Sequence, residues 1–331
     1  MITLNRIDSL VGKYMVFLVL GAVTMGICFS TTLSVLNTLN IPLFAFMTFA
    51  NSLSGGFREI GRVFLKPAPV LVTLVLLHVV MPLLALGLGR ALFPDAPLFT
   101  IGLVLEYAIP TGVSALIWVS LARGNTALCL SVVMLDTICS PVVVPLTLKL
   151  LVGSVVQMDT LGMVRNLLIM VAIPALLAMT LFDCSHGTAA AVWKPRLAPF
   201  AKMTLLVIVA ANATGCAPFL HNLNATLVKV IAAVFSLCLL GFFLGYWSGR
   251  LLGQDFPTVQ AMTLNAGMRN ISAGAVLAQQ YFPGDVLFPV AFSPVFLQLV
   301  TSLVVKILRR TPKGRADQAK YWQLQEEQGL E

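Results

Sequence analysis

Two short stretches of this chain set helix breakers beside polar side chains inside otherwise apolar sequence. The first runs Glu106-Tyr107-Ala108-Ile109-Pro110-Thr111-Gly112-Val113-Ser114 and the second Asn265-Ala266-Gly267-Met268-Arg269-Asn270. A helix interrupted in an apolar medium frees backbone carbonyls and amides that have to be satisfied internally. Freed carbonyls beside Ser and Asn oxygens suit an alkali cation, which takes oxygen ligands. Freed amides and a guanidinium suit a carboxylate instead. Thr111, Gly112, Ser114, Asn265, Gly267, Met268, Arg269 and Asn270 are therefore the expected binding residues for a small organic anion. Glu106, Asp136 and Arg269 are charges embedded in apolar sequence, expensive there unless paired or facing water. They are read as ion-coupling or charge-compensating groups, the alternative being a permanent ion pair that locks helices together.

The elements that hold these residues are membrane spans. Of 331 residues, 58% are apolar and 10% charged, and mean hydropathy is +0.94. So few charges cannot coat a soluble globule with polar surface, and the continuous apolar stretches exclude a membrane barrel, whose strands alternate. An apolar stretch of about 20 residues crosses the hydrocarbon core. Ten are read here: 14–36, 42–57, 68–92, 98–121, 126–151, 160–182, 198–219, 225–252, 257–281 and 286–308. The first lacks a small-residue cleavage site after a short apolar core, so it is expected to be a retained helix rather than a signal peptide.

Basic residues divide by side. The termini and even-numbered loops hold sixteen Lys and Arg, among them Arg6, Lys13, Arg62, Lys66, Lys313, Arg315 and Lys320, whereas the odd loops hold four, Arg90, Lys149, Arg165 and Lys229. This asymmetry places both termini in the cytoplasm, and accounts for the net charge of +8 without nucleic acid. The polar stretch 311–331 reads as a cytoplasmic tail. The six cysteines show no C-x-x-C and no His at ligand spacing, so they are expected to be buried and structural. His78 lies in an apolar run and is expected to pack, though it could titrate.

Laid on itself at an offset of 160, the chain aligns Gly89-Arg90 with Gly249-Arg250, Asp95 with Asp255 and Pro97 with Pro257. Two five-span halves are implied, 1–157 and 158–310, and because five is odd the second enters the membrane from the opposite face. Inverted repeats of this kind hold their substrate near the midplane, where paired helices are broken. The fourth and ninth stretches carry such breakers, Pro110-Thr111-Gly112 and Ala266-Gly267-Met268.

At these residues the chain resembles the bile acid:sodium symporter (BASS) family. Pro110-Thr111-Gly112-Val113-Ser114-Ala115-Leu116, Leu121-Ala122-Arg123-Gly124-Asn125-Thr126-Ala127-Leu128 and Ser140-Pro141 resemble its P-G-G-x-x-S-N, L-A-x-G-x-x-A-L and S-P sequence. Asn265-Ala266-Gly267-Met268-Arg269-Asn270 is similar to its E-x-G-x-Q-N. The resemblance implies an all-α polytopic membrane protein of ten transmembrane helices in two inverted repeats. It implies a panel domain (spans 1, 2, 6 and 7) and a core domain (3–5 and 8–10), with broken spans 4 and 9 crossing in the core. It implies secondary transport of organic anions, bile acids or smaller carboxylates such as pantoate, by alternating access at a bacterial inner membrane.

The family's sodium-holding positions have changed. Its Ser and Asn fall on Ala115 and Leu116, its span 9 acid on Asn265 and the following Gln on Arg269, while Cys129, Val133 and Leu77 stand at further ligand positions. Only a degenerate sodium site around Ser114 and Asn265 remains. Sodium coupling is therefore expected to be weakened or absent, with Arg269 standing in as a fixed cation opposite Glu106 or Asp136. Alternatively one of these acids takes up a proton, and the protein is a proton-coupled carrier or exchanger. Phe17, Phe44, Phe46, Phe292 and Phe296 could line an amphipathic ligand's cavity, or equally face lipid or pack, the more common fate of Phe in such a protein. No H-E-x-x-H, paired aspartates or nucleotide loop supports an intramembrane enzyme, no cofactor or oligomer is expected, and a passive anion channel is the remaining rival.

Overall fold

The computed structural model describes residues 14–61, 67–221 and 224–311, with 11, 316, 319 and 323 as single positions. Arg6, Lys13, Arg62, Lys66, Lys313, Arg315, Lys320 and nearly all of the expected tail lie outside the described residues. The described chain is helical and contains no β-strand apart from one isolated bridge, between Thr111 and Arg269. The principal helices are α1 (Met15–Cys28), α2 (Asn40–Ser52), α3 (Pro67–Leu92), α4 (Pro97–Ala108), α5 (Ser114–Leu121) and α6 (Thr126–Val152). They are followed by α7 (Thr160–Cys184), α8 (Thr188–Ala213), α9 (Ala225–Leu251), α10 (Phe256–Gly267), α11 (Ile271–Tyr281) and α12 (Gly284–Arg310). Among the described residues seven helices are long and apolar enough to cross a membrane, and the protein is a multi-pass membrane protein.

The first two expected spans join more closely than the sequence suggests. After Cys28 the chain continues through a short helix, Ser30–Leu33, and a 3₁₀ segment, Ser34–Leu39, into α2, which ends at Ser52. Asn37 and Asn40 read as a polar gap in sequence, yet both side chains are engaged in hydrogen bonds that let the helical path run through them. Likewise α8 starts ten residues before the expected 198, because Pro195 and Pro199 are accommodated within the helix rather than ending it.

Prolines also shape α3 and α7. Each contains one π-turn, Leu76–Val80 and Leu168–Ala172, followed two residues later by Pro82 or Pro174. Proline has no N–H to pair with the carbonyl four residues back, and the wider turn is the local response. In α6, Pro141 frees the Thr137 carbonyl, which accepts from the Ser140 hydroxyl at 2.9 Å.

The helices pack in two sets, joined by an extensive contact between α6 and α7. α8 lies along α1 and α2, and α7 against α2; α9 lies on α10, α3 on α4, α4 on α12 and α6 on α10. The α9–α10 contact is built by Gly241, Gly245 and Gly249 at four-residue spacing. A Cβ on Gly245 would meet the Ala266 Cβ at 2.7 Å and the Met262 carbonyl at 2.8 Å. Without a hydrophobic drive between helices in lipid, such close backbone approach is what holds them together. Gly245→Val is expected to destabilise the protein by about 1–3 kcal/mol through overpacking, read as an earlier thermal unfolding midpoint in detergent. Gly87→Ala, in α3 with nothing within 4 Å of its added Cβ, should leave that midpoint unchanged or raise it.

Candidate functional site

Both expected breaks are present, and they meet. Pro110 restricts the residue before it to extended backbone, so Ile109 (φ −63°, ψ 152°) ends α4 and the helix resumes at Ser114. The second break lies two residues later than Ala266-Gly267-Met268 suggests: Ala266 and Gly267 still belong to α10, and Met268 (φ −97°, ψ 131°) ends it. Gly267 is packed against the ring of Phe242, leaving no room for a Cβ. Gly112 permits the approach of the two breaks, since a Cβ there would lie 3.1 Å from the Arg269 carbonyl.

The freed backbone groups satisfy one another. Thr111 and Arg269 form the antiparallel bridge, and the Asn270 amide donates to the Pro110 carbonyl at 2.9 Å. The Thr111 amide donates to Asp136 Oδ2 at 2.6 Å. The Thr111 hydroxyl reaches two carbonyls freed by the second break, Asn265 at 3.1 Å and Met268 at 3.0 Å. Asn265 is wholly buried, its amide donating to the Ala261 carbonyl and its Oδ1 accepting from the Cys129 thiol at 3.6 Å.

Three expected charges converge on this crossing, but not as ion pairs with one another. Arg269 is 3% exposed, and its guanidinium nitrogens have no hydrogen-bond partner. The cation sits over the Tyr107 ring, 5.5 Å from the centroid, in the field of Asp136 and Glu106. Opposition to Glu106 or Asp136 is the expectation, yet neither forms an ion pair with the arginine: both oxygens of Asp136 are taken, whereas Glu106 has one oxygen bound and Oε2 without a partner. Glu106 accepts from the Ser293 hydroxyl of α12. Asp136 takes Thr111 on one oxygen and His78 Nε2 on the other, at 2.5 Å. Ser293 and Tyr107 are thus participants that sequence reasoning missed, and His78, expected to pack, is found paired with a carboxylate instead.

A cavity of about 130 Å³ opens beside the crossing. Gly112, Ser114, Arg269 and Asn270 line it, together with Thr48 and Asn51 of α2, Thr137 of α6 and Gln298 of α12. Its apolar wall includes Val19, Met47, Val171, Leu205, Val209 and Leu297, drawn from both helix sets. Thr111, Asn265, Gly267 and Met268 do not line it and act behind it, as backbone of the crossing. None of the five candidate phenylalanines lines it. Phe44 is buried in the core, Phe17 is 71% exposed, and Phe292 and Phe296 stack in a row that includes Phe288 and Phe235. Among the described residues no group of His, Cys, Asp and Glu is arranged to hold a metal ion; the six cysteines are free, and Cys28, Cys139 and Cys184 are exposed rather than buried as expected.

A second polar cluster joins the two helix sets. Asn40 Nδ2 lies 3.0 Å from Asn212 Oδ1 and 3.3 Å from Gln279 Oε1, and Gln279 in turn donates to the Asn212 carbonyl at 3.2 Å. It ties α2 and α8 to α11.

Comparison with known proteins places this architecture. Residues 41–222 match the model of the Sodium Bile acid symporter family. The uncharacterized protein YbaS of Bacillus subtilis is 37% identical over 268 residues, 81% of this chain and 88% of that protein. The uncharacterized sodium-dependent transporter YocS of the same organism is 27% identical over 250 residues, 75% of each. The probable sodium/metabolite cotransporter BASS1, chloroplastic, of rice is 29% identical over 259 residues, 77% of this chain and 62% of that protein. A helical membrane protein with two broken helices paired at a small cavity, and with these relatives, has one reading: the chain belongs to the sodium bile acid symporter family.

Proposed function

We propose that this protein is a secondary transporter of organic anions, bile acid-like or smaller carboxylates, that works by alternating access without sodium coupling. Membership of the family and the relatives named as transporters support transport. The departure from sodium rests chiefly on Thr111, which stands where the resemblance has glycine. A sodium ion needs several oxygen ligands converging on one point. Here the Asn265 and Met268 carbonyls converge on the Thr111 hydroxyl, and the buried guanidinium of Arg269 supplies a fixed positive charge at the same crossing. The oxygens and charges present do not suit a cation.

In this reading the chain has ten spans in two inverted halves, 1–157 and 158–310. α1, α2, α7 and α8 are the panel, and α3–α6 with α9–α12 the core. The location of the cavity between the two sets, and the packing of each set on itself, support that division. Moving one set against the other would open the crossing to alternate faces, with the Asn40–Asn212–Gln279 cluster as a polar seal that must part. The basic loops support a cytoplasmic position for both termini, at a bacterial inner membrane. Ser114 and Asn270 offer hydrogen bonds to a carboxylate, and Arg269 its charge.

The test is uptake of labelled taurocholate and pantoate into proteoliposomes, followed by exchange against unlabelled compound. Saturable uptake accelerated by internal substrate is the expected result. Non-saturable flux without exchange would instead identify a pore.

A further inference from the structure

We propose that His78 and Asp136 form the proton site of this carrier, so that an organic anion crosses together with one proton. This rests on the transport reading above and names what replaces the sodium ion. Asp136 is wholly buried, the His78 side chain is 11% exposed, and Nε2 and Oδ1 are 2.5 Å apart. His78 reaches this carboxylate from the π-turn of α3. The other ring nitrogen, Nδ1, is buried and has no hydrogen-bond partner. A proton added to the neutral ring at Nδ1 turns the contact into an imidazolium–carboxylate pair, and its departure leaves the carboxylate with a neutral partner.

The pair is wired to the crossing by hydrogen bonds. Asp136 holds His78 on one oxygen and the Thr111 amide on the other; the Thr111 hydroxyl holds the carbonyls of Asn265 and Met268. Gly112 and Arg269, immediately next to these residues in the chain, line the cavity. Protonation of His78 is therefore felt where an anion would bind.

The charged and titratable groups that face Asp136 are Arg269 from the second break and Cys139 on its own helix, α6; Glu106 and Tyr107 from α4 face Arg269 in turn. The Asp136 carboxylate and the Arg269 guanidinium balance one another at the crossing, so a proton on His78 leaves the interior one positive charge in excess, ready for an anion. A carboxylate entering beside Arg269 adds a negative charge in a medium that resists it. The anion thus favours the protonated pair, and by linkage the proton raises affinity for the anion by the same factor.

The test uses the full chain in sodium-free proteoliposomes with a trapped pH dye, given labelled pantoate or taurocholate. The lumen should acidify as label enters. On its alkaline limb, uptake should fall by up to about tenfold per pH unit, the limit for one obligatory proton. H78Q should remove the pH dependence along with most of the uptake. H78K, whose fixed cation still faces Asp136, should retain uptake that is flat with pH, a result that a packing role for His78 does not produce. Uptake without acidification, or an unchanged pH profile in folded H78K, would overturn the proton site while leaving organic-anion transport standing. No uptake of either compound at any pH would overturn both.

Discussion

Arg269→Gln is expected to lower uptake by two to three orders of magnitude. The guanidinium is buried over Tyr107 in the field of two carboxylates, without a hydrogen bond of its own. Its donors are therefore free for an anion reaching the crossing, and a bidentate carboxylate is the ligand its planar fork fits. Removing one charge from a buried set costs about 3–5 kcal/mol, because the opposite charges are left uncompensated. Arg269→Lys should not restore transport, since a compact ammonium lacks both the fork and the face that lies on the Tyr107 ring. A double variant separates binding from folding: Arg269→Gln with Asp136→Asn removes the opposed charges together while keeping an oxygen for Thr111. It should recover the thermal stability lost in Arg269→Gln, measured by unfolding in detergent, without recovering uptake. Full uptake by either variant would remove Arg269 from the site.

The largest effect on stability is expected at Asp136. Both of its oxygens are used, one by a backbone amide that the first break leaves without a helical acceptor and one by His78. Asp136→Leu orphans both donors in an apolar interior and uncovers the Arg269 charge. Breaking a buried charged contact in this way costs about 3–5 kcal/mol, with a further 1–3 kcal/mol for the unsatisfied amide. The variant should unfold at much lower temperature in detergent, or fail to accumulate. Asp136→Asn keeps an oxygen for Thr111 and should lose markedly less. Equal losses in the two variants would show that the Thr111 contact does not hold the break.

What could be read from the sequence follows from the range of its signals. Proline acts on its own neighbours, so the break at Pro110 was legible where it occurs. Glycine is more permissive, and the second break falls beyond Gly267, which still belongs to the helix with the Phe242 ring packed against it. Charges in apolar sequence are conspicuous, which is why Glu106, Asp136 and Arg269 stood out. Their partners were not legible, because nothing around His78 tells that a carboxylate 58 positions away will face it, or that Ser293 will reach Glu106. The phenylalanines were ambiguous for a related reason. Aromatic residues fill a helical membrane protein on every face, and only packing decides which of them meets a cavity. The amide cluster of Asn40, Asn212 and Gln279 was silent in sequence too, since it is assembled from three distant helices.

The central claim is that the crossing of the two breaks holds its charge balance without sodium. Uptake of labelled taurocholate and pantoate into proteoliposomes, with sodium and proton gradients imposed separately, tests it most directly. The account predicts uptake unchanged when sodium is replaced by an impermeant organic cation on both sides, and accelerated by an inward proton gradient. Uptake driven by a sodium gradient at fixed pH would contradict it, and would mean that the carbonyls held by Thr111 release their hydroxyl to bind the ion.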